Sequence, residues 1–179
     1  MPQIITHPYL SPCGELILAS FEDSLCLCDW VQGQHSEATF RKLEKALKSS
    51  ISSGNSEAIR HTKQQLDAYF NGQAITFDVP LLLIGTEFQQ QVWRSLEQIA
   101  YGTTISYATQ ASRLGCPQAV RAVANANGRN PISIILPCHR VIGSNGKLTG
   151  YGGGLDKKRW LLDRESRSLF SNTIQNDTF

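Results

Sequence analysis

Apolar positions recur along the chain with two different periods, and the change of period divides it in two. Residues 15–21 and 25–30 are short apolar stretches separated by the acidic turn Glu22-Asp23-Ser24, which predicts a pair of β-strands. Helical spacing follows over 38–48 and 57–70, with the Ser, Gly and Asn-rich segment 49–56 as the loop between them and Gly72 as a stop. A further apolar stretch, 79–84, interrupted by Pro80, leads out of this first α/β unit, and the boundary is set near Gly85. The predicted organisation is an N-terminal unit over 1–84, a second unit over 85–166 and a polar tail over 167–179.

The second unit opens with Thr86 and Gln89 at capping-box spacing, then Phe88, Val92, Leu96 and Ile99 on one helical stripe that Trp93 widens. Ser106 is placed to cap a short helix ending near Leu114, Gly115 to make a tight turn, and Pro117 to start a helix ending near Gly128. This is a helix-turn-helix pattern. Val120 and Val123 of its second helix face a core, which leaves Arg121, Ala122 and Asn125 outward, and small outward residues around one Arg suit close approach to a groove. An alanine-rich packing helix with an ordinary surface Arg fits the same pattern.

The 41% hydrophobic content is that of a globular protein, and neither a leader-like N-terminus nor an apolar run of bilayer length is present, so a cytoplasmic location is expected. In that reducing setting 5 cysteines point to thiol chemistry, metal binding or burial rather than disulfides. The formal charge of +2 is uneven: residues 101–165 hold nine basic and three acidic side chains, a net of +6, and the remainder nets −4. A positive second half suits a polyanion, although a solvated basic surface has the same composition.

The candidate chemistry sits in Pro137-Cys138-His139-Arg140-Val141, directly after the apolar run 132–136, which reads as a buried strand. A thiol with a pKa of roughly 8.5 needs a base or a positive field to become a useful nucleophile, and His139 and Arg140 supply one of each. A final helix, with Asp156 as its expected cap, puts Leu161 and Glu165 on one face, so that Glu165 can turn inward and orient a histidine. Cys138, His139 and Glu165 then read as nucleophile, base and orienter, against the alternative of an inert buried cysteine. The loop Thr149-Gly150-Tyr151-Gly152-Gly153-Gly154 suits close backbone approach to a flat ligand, or a plain flexible turn.

The stretch from Asn130 to Gly143, with Gly150-Tyr151-x-Gly153-Gly154 and Trp160-Leu161-Leu162-x-x-Glu165, resembles the signature of the O6-alkylguanine-DNA alkyltransferases of bacterial type. Gly85-Thr86-x-Phe88-Gln89-x-x-Val92-Trp93, Tyr101-Gly102-x-Thr104-x-Ser106-Tyr107 and Arg121-Ala122-Val123 match the same family in order and spacing. The first unit resembles the family's N-terminal domain in size and pattern.

The resemblance implies an α/β protein with a small ribonuclease H-like N-terminal domain and a mostly helical, winged-helix-like C-terminal domain. It implies stoichiometric, irreversible transfer of an alkyl group from O6-alkylguanine in double-stranded DNA, and possible O4-alkylthymine activity, to Cys138 after base flipping, without a cofactor. The protein would bind as a monomer in the minor groove. Arg121 would fill the gap in the stack, Ser106 and Tyr107 would meet the phosphate backbone, and Ala122 and Asn125 would flank them. Tyr107 would protonate the leaving guanine, Asn130 would tie the helix-turn-helix to the active turn, and Val141, Tyr151, Gly152 and Gly153 would line the base pocket.

Two positions depart from the family pattern: Ala100 stands in place of a proline and Ala124 in place of a frequent glycine. Cys116 reads as packing. His7, Cys13, Cys26, Cys28 and His35 are ligand types, with Cys26 and Cys28 expected on one strand face, but their spacing matches no four-ligand zinc pattern, so no metal is expected. Two rival classes remain: a recognition-only binder of alkylated guanine, which would not need Cys138, and a cysteine hydrolase, which would leave Arg121 and the basic half without a role.

Overall fold

The computed structural model describes residues 1–32 and 36–176. Strands β1 (Ile4–Ser11), β2 (Gly14–Phe21) and β3 (Ser24–Trp30) form an antiparallel meander, and β4 (Ile51–Ser53) adds parallel to β1, giving the order β3-β2-β1-β4. Two of these strands were not expected. β1 carries Pro8, which a ladder tolerates because β4 pairs only with Ile4 to Thr6, so the edge beyond is open and needs no proline N–H. β4 lies within the predicted loop 49–56, where three residues are enough to complete the edge.

Helix α1 (Ser36–Leu47) covers one face of the sheet, where Leu43 packs with Ile4, Ala19, Cys26 and Leu27. Helix α2 (Glu57–Phe70), capped by Ser56 Oγ accepting from Ile59 N at 3.1 Å, covers the other face. Cys26 and Cys28 do not share a face, contrary to expectation. The ladder shifts register at this point, so that Leu27 pairs with Ala19 and Leu25 with Ser20, and the extra residue Cys26 turns to the α1 side while Cys28 faces α2. The apolar stretch 79–84 forms no strand and makes a single bridge, Leu81 to Leu25.

The C-terminal part begins with helix α3 (Glu87–Ser95), whose expected capping box between Thr86 and Gln89 is present. Strand β5 (Ile105–Ser106) leads into α4 (Tyr107–Arg113), capped by Ser106, and the turn at Gly115 takes a φ of 77°, which favours glycine. Helix α5 (Val120–Gly128) starts later than expected: Pro117 lies in a preceding turn closed by Ala119 N donating to Cys116 O at 2.9 Å. Val92, Ala111, Val123 and Ala126 form the core among α3, α4 and α5, with Cys116 packed against it.

Gln110 and Asn127 lock α4 to α5, Asn127 Nδ2 donating to Gln110 Oε1 at 2.6 Å. Strand β6 (Val141–Ile142) pairs parallel with β5, and α6 (Leu155–Asn176) closes the chain. Asp156 lies in the first turn of α6 rather than before it, and residues 167–176, expected as a tail, continue the helix.

One core cluster joins the two parts. It runs from Leu16, Leu18 and Trp30 of the sheet through Leu66 and Tyr69 of α2 to Trp93, Leu136, Cys138 and Leu161.

Candidate active site and nucleic-acid interface

The apolar run 132–136 is buried, but it is not the strand that its composition predicts. It touches β3 through one bridge, Ser133 N donating to Cys28 O at 2.7 Å, and Ile134 then takes a φ of 71° that reverses the chain. Left-handed backbone at a β-branched residue is strained, and Asn130 braces the turn from inside: Nδ2 donates to Leu136 O at 2.8 Å and Oδ1 accepts from Ile132 N at 3.0 Å. Pro137 follows, and Cys138–Arg140 forms a single 3-10 turn.

Glu165 sits fully buried on α6 and accepts from His139 Nε2 at 2.7 Å. Arg140 donates to the same carboxylate from Nε at 3.0 Å and Nη2 at 2.9 Å, with Nη1 on Ile99 O at 2.7 Å. Burial pushes the Glu165 carboxyl up, but the hydrogen bonds and charges of His139 and Arg140 outweigh it and hold the group down to about 2. Burial pushes His139 below its ordinary value against the pull of Glu165. The imidazole is thus neutral with its proton on Nε2, and Arg140 supplies the charge that keeps Glu165 ionised. Nδ1 of His139, buried and without a protein partner among the described residues, is the nitrogen left to accept a proton.

Arg140 therefore does not provide the positive field at the thiol, contrary to the sequence expectation, because Glu165 neutralises it. Lys158 does so instead. It is fully buried on the first turns of α6, with Nζ donating to Val141 O at 2.7 Å, Thr149 O at 3.0 Å and Tyr107 Oη at 3.4 Å. Burial lowers its pKa to about 8, against the pull of Cys138. Burial pushes the Cys138 thiol up, while the Asn130 hydrogen bond and the Lys158 charge pull it back. Sequence reasoning missed Lys158 because it stands in the run Lys157-Lys158-Arg159, which reads as a solvated face.

Strands β5 and β6 bring the helix-turn-helix to this centre by pairing Ile105 with Val141 and Ser106 with Ile142. Tyr107 Oη donates to Thr149 O at 2.9 Å; burial raises its pKa, so the phenol keeps its proton at neutral pH. Arg121, Ala122 and Asn125 are exposed on α5 as expected, and Val123 is buried. A cleft of about 450 Å³ between α5 and the glycine loop is lined by Tyr107, Ala124, Asn125, Thr149 and Gly150, among others. Another, of about 320 Å³, continues along Gly150, Tyr151, Gly152 and Gly154.

Trp30 of β3 shapes the loop from beneath. Its Nε1 donates to Tyr151 Oη at 3.2 Å, and a Cβ on Gly153 would collide with its ring. Val141, expected in the pocket, has its side chain fully buried in the core. Ala100, exposed, accepts from Thr103 N at 3.1 Å and so makes the turn where the family pattern has proline.

Of the residues with metal-ligating chemistry, His7 Nδ1 lies 2.9 Å from Gly54 O, Cys13 Sγ is 3.6 Å from Ser11 Oγ and Cys26 Sγ donates to Ala19 O at 3.4 Å. His35 lies outside the described residues. Among the described residues no group of three or more His, Cys, Asp or Glu side chains is placed to hold a metal ion, and no helix is long and apolar enough to cross a membrane.

Fold and site define a two-domain protein in which a helix-turn-helix is bonded to a buried cysteine turn. Residues 4–83 match the family model for the 6-O-methylguanine DNA methyltransferase ribonuclease-like domain, and residues 87–167 match that for the DNA binding domain of the same family. A methylated-DNA–protein-cysteine methyltransferase of Methanosarcina acetivorans is 47% identical over 155 residues, covering 87% of this chain and 94% of the relative. The crystal structure of Mycobacterium tuberculosis O6-methylguanine methyltransferase matches with a TM-score of 0.77 at 43% identity, over 94% of each chain. The mycobacterial protein in complex with DNA matches with a TM-score of 0.79 at 42% identity, over 92% of this chain and 94% of that one. The chain belongs to the 6-O-methylguanine DNA methyltransferase family.

Proposed function

We propose that the protein repairs DNA by moving the alkyl group of O6-alkylguanine irreversibly onto Cys138, once per molecule. The observation that carries this reading is a buried thiol with Lys158 and Asn130 acting on it, next in sequence to a neutral histidine whose Nε2 is held by Glu165 at 2.7 Å. The thiol proton passes toward Nδ1 of His139 through water, and Sγ attacks the alkyl carbon in line with the C–O bond. That bond breaks, its electron pair leaves with guanine O6, and the proton reaches the guanine through the Tyr107 hydroxyl, with Lys158 beside it. A thioether has no electrophilic carbonyl for water to attack, so the acceptor is not regenerated.

The lesion reaches Cys138 by base flipping, since the alkylated edge is enclosed while the base is stacked. Helix α5 enters the minor groove, Arg121 fills the gap, Ser106 and Tyr107 meet the backbone, Ala122 and Asn125 flank the contact, and Tyr151, Gly152 and Gly153 receive the base. The working units are 1–84 and 85–166, and the protein acts as a cytoplasmic monomer. Intact-mass spectrometry after incubation with a duplex holding one O6-methylguanine tests the reading. A gain of one methyl group, on Cys138 and absent in Cys138→Ser, is expected; tight lesion binding with no mass change would favour recognition alone.

A further inference from the structure

We propose that Tyr69, a residue of the N-terminal domain, is a positioning residue for alkyl transfer, because its hydroxyl sets how strongly Glu165 pulls on His139. The inference rests on the functional reading above. Tyr69 is fully buried on the last turn of α2, 96 positions from Glu165 in sequence, and its Oη donates to Glu165 Oε1 at 2.7 Å. The same oxygen accepts from His139 Nε2 at 2.7 Å and Arg140 Nη2 at 2.9 Å, while Oε2 accepts from Arg140 Nε at 3.0 Å and Gly102 N at 3.4 Å.

A carboxylate oxygen has about two lone pairs to share, so three donors on Oε1 compete for its charge. The share that Tyr69 takes is withheld from the imidazole. With the phenol present, Glu165 is a weaker hydrogen-bond acceptor for His139, an imidazolium is less favoured, and His139 stays neutral with Nδ1 open as the base. The ring cannot swing aside: Phe70, Phe77 and Tyr101 surround it with ring centroids at 5.2, 5.6 and 6.0 Å, and Tyr101 also lies against the Arg140 guanidinium at 5.5 Å. The charged and titratable groups that bear on the pair are Tyr69 and Tyr101 on Glu165 and Arg140, and Arg140 and Lys158 on His139.

The test compares wild type with Tyr69→Phe, which keeps the ring and loses the donor. The single-turnover rate of alkyl transfer is measured from pH 5 to 9, and the His139 imidazole is titrated by NMR without DNA. Both the acid limb of the rate profile and the imidazole titration are expected to move up by roughly half a unit to one unit. Arg164→Met is the control, because Arg164 Nη2 donates to Phe70 O at 2.6 Å and so removes a neighbouring bond between α2 and α6 without touching Glu165. It is expected to lower the melting temperature and leave both pH profiles in place.

Equal profiles in Tyr69→Phe and wild type, or equal displacement in Arg164→Met, would overturn the proposal and reduce Tyr69 to a structural clamp. If Tyr69→Phe does not fold, Tyr69 labelled as 3-fluorotyrosine keeps the hydroxyl as a stronger donor, and the titration should then move down. Because the imidazole is followed without DNA, a shift there in a protein that transfers no alkyl group would sink the functional reading alone.

Discussion

Asn130 donates to the carbonyl oxygen of Leu136 at 2.8 Å, so the residue two beyond the end of α5 carries the turn that presents Cys138. Replacing it by Ala would leave the Ile132 N–H buried without its partner, leave the Leu136 carbonyl with Cys138 N as its donor at 2.8 Å, and release the left-handed turn at Ile134. A loss of about 2 kcal/mol or more is expected. Urea unfolding should show it, with alkyl transfer slowed far more than DNA binding.

The network on Glu165 makes stability depend on pH with a defined sign. A carboxyl held down to about 2 from 4.5 contributes stability that is fully present above pH 4.5 and is lost as the pH falls toward 2. The contribution is about 3 kcal/mol. Glu165→Gln is expected to be destabilised at pH 7 by roughly 3–5 kcal/mol, because Arg140 is left buried without its counter-charge. Thermal melts between pH 2 and 7 should flatten in the variant.

Lys158 also makes stability rise with pH, but here because the fold penalises the charged form rather than favouring it. Its folded-state pKa of about 8 lies below the ordinary 10.5, so the fold disfavours its charge, and from this group alone stability rises as the pH goes from 8 to 10.5. Lys158→Met should remove that rise. It should also slow iodoacetamide labelling of Cys138 at pH 7 by about tenfold, one unit of thiol pKa, as followed by peptide mass spectrometry.

Arg121 is exposed on α5, the helix whose Ala124 and Asn125 line the cleft. If it occupies the gap left by the flipped base, Arg121→Ala should slow transfer from duplex DNA by about tenfold or more. Transfer from a single strand, which has no stack to refill, should change little. Single-turnover rates on matched duplex and single-stranded oligonucleotides decide between this and a phosphate contact, which would weaken both.

Much of the C-terminal part was legible because its signals are local. Thr86 and Gln89 form their capping box three residues apart, Gly115 marks its own turn, and Leu161 predicts the inward face that Glu165 shares. What escaped depends on contacts between distant segments. Pro8 reads as a breaker until the edge beyond β4 is seen to be open. Cys26 reads as a neighbour of Cys28 until the register shift is known, and no composition rule foretells a left-handed Ile134. Lys158 and Tyr69 were invisible as site residues for the same reason, since each gains its meaning from partners far along the chain.

The core that passes unbroken from the sheet to the thiol turn also bears on how such proteins can change over generations. Trp30 and Tyr69 on one side of the join meet Gly153, Tyr151 and Glu165 on the other. A front half borrowed from a distant relative would bring its own side chains to that join, meeting the glycine loop with the wrong shape and the carboxylate with the wrong number of donors. A chimera should therefore work in proportion to how well these few residues are carried across with the graft.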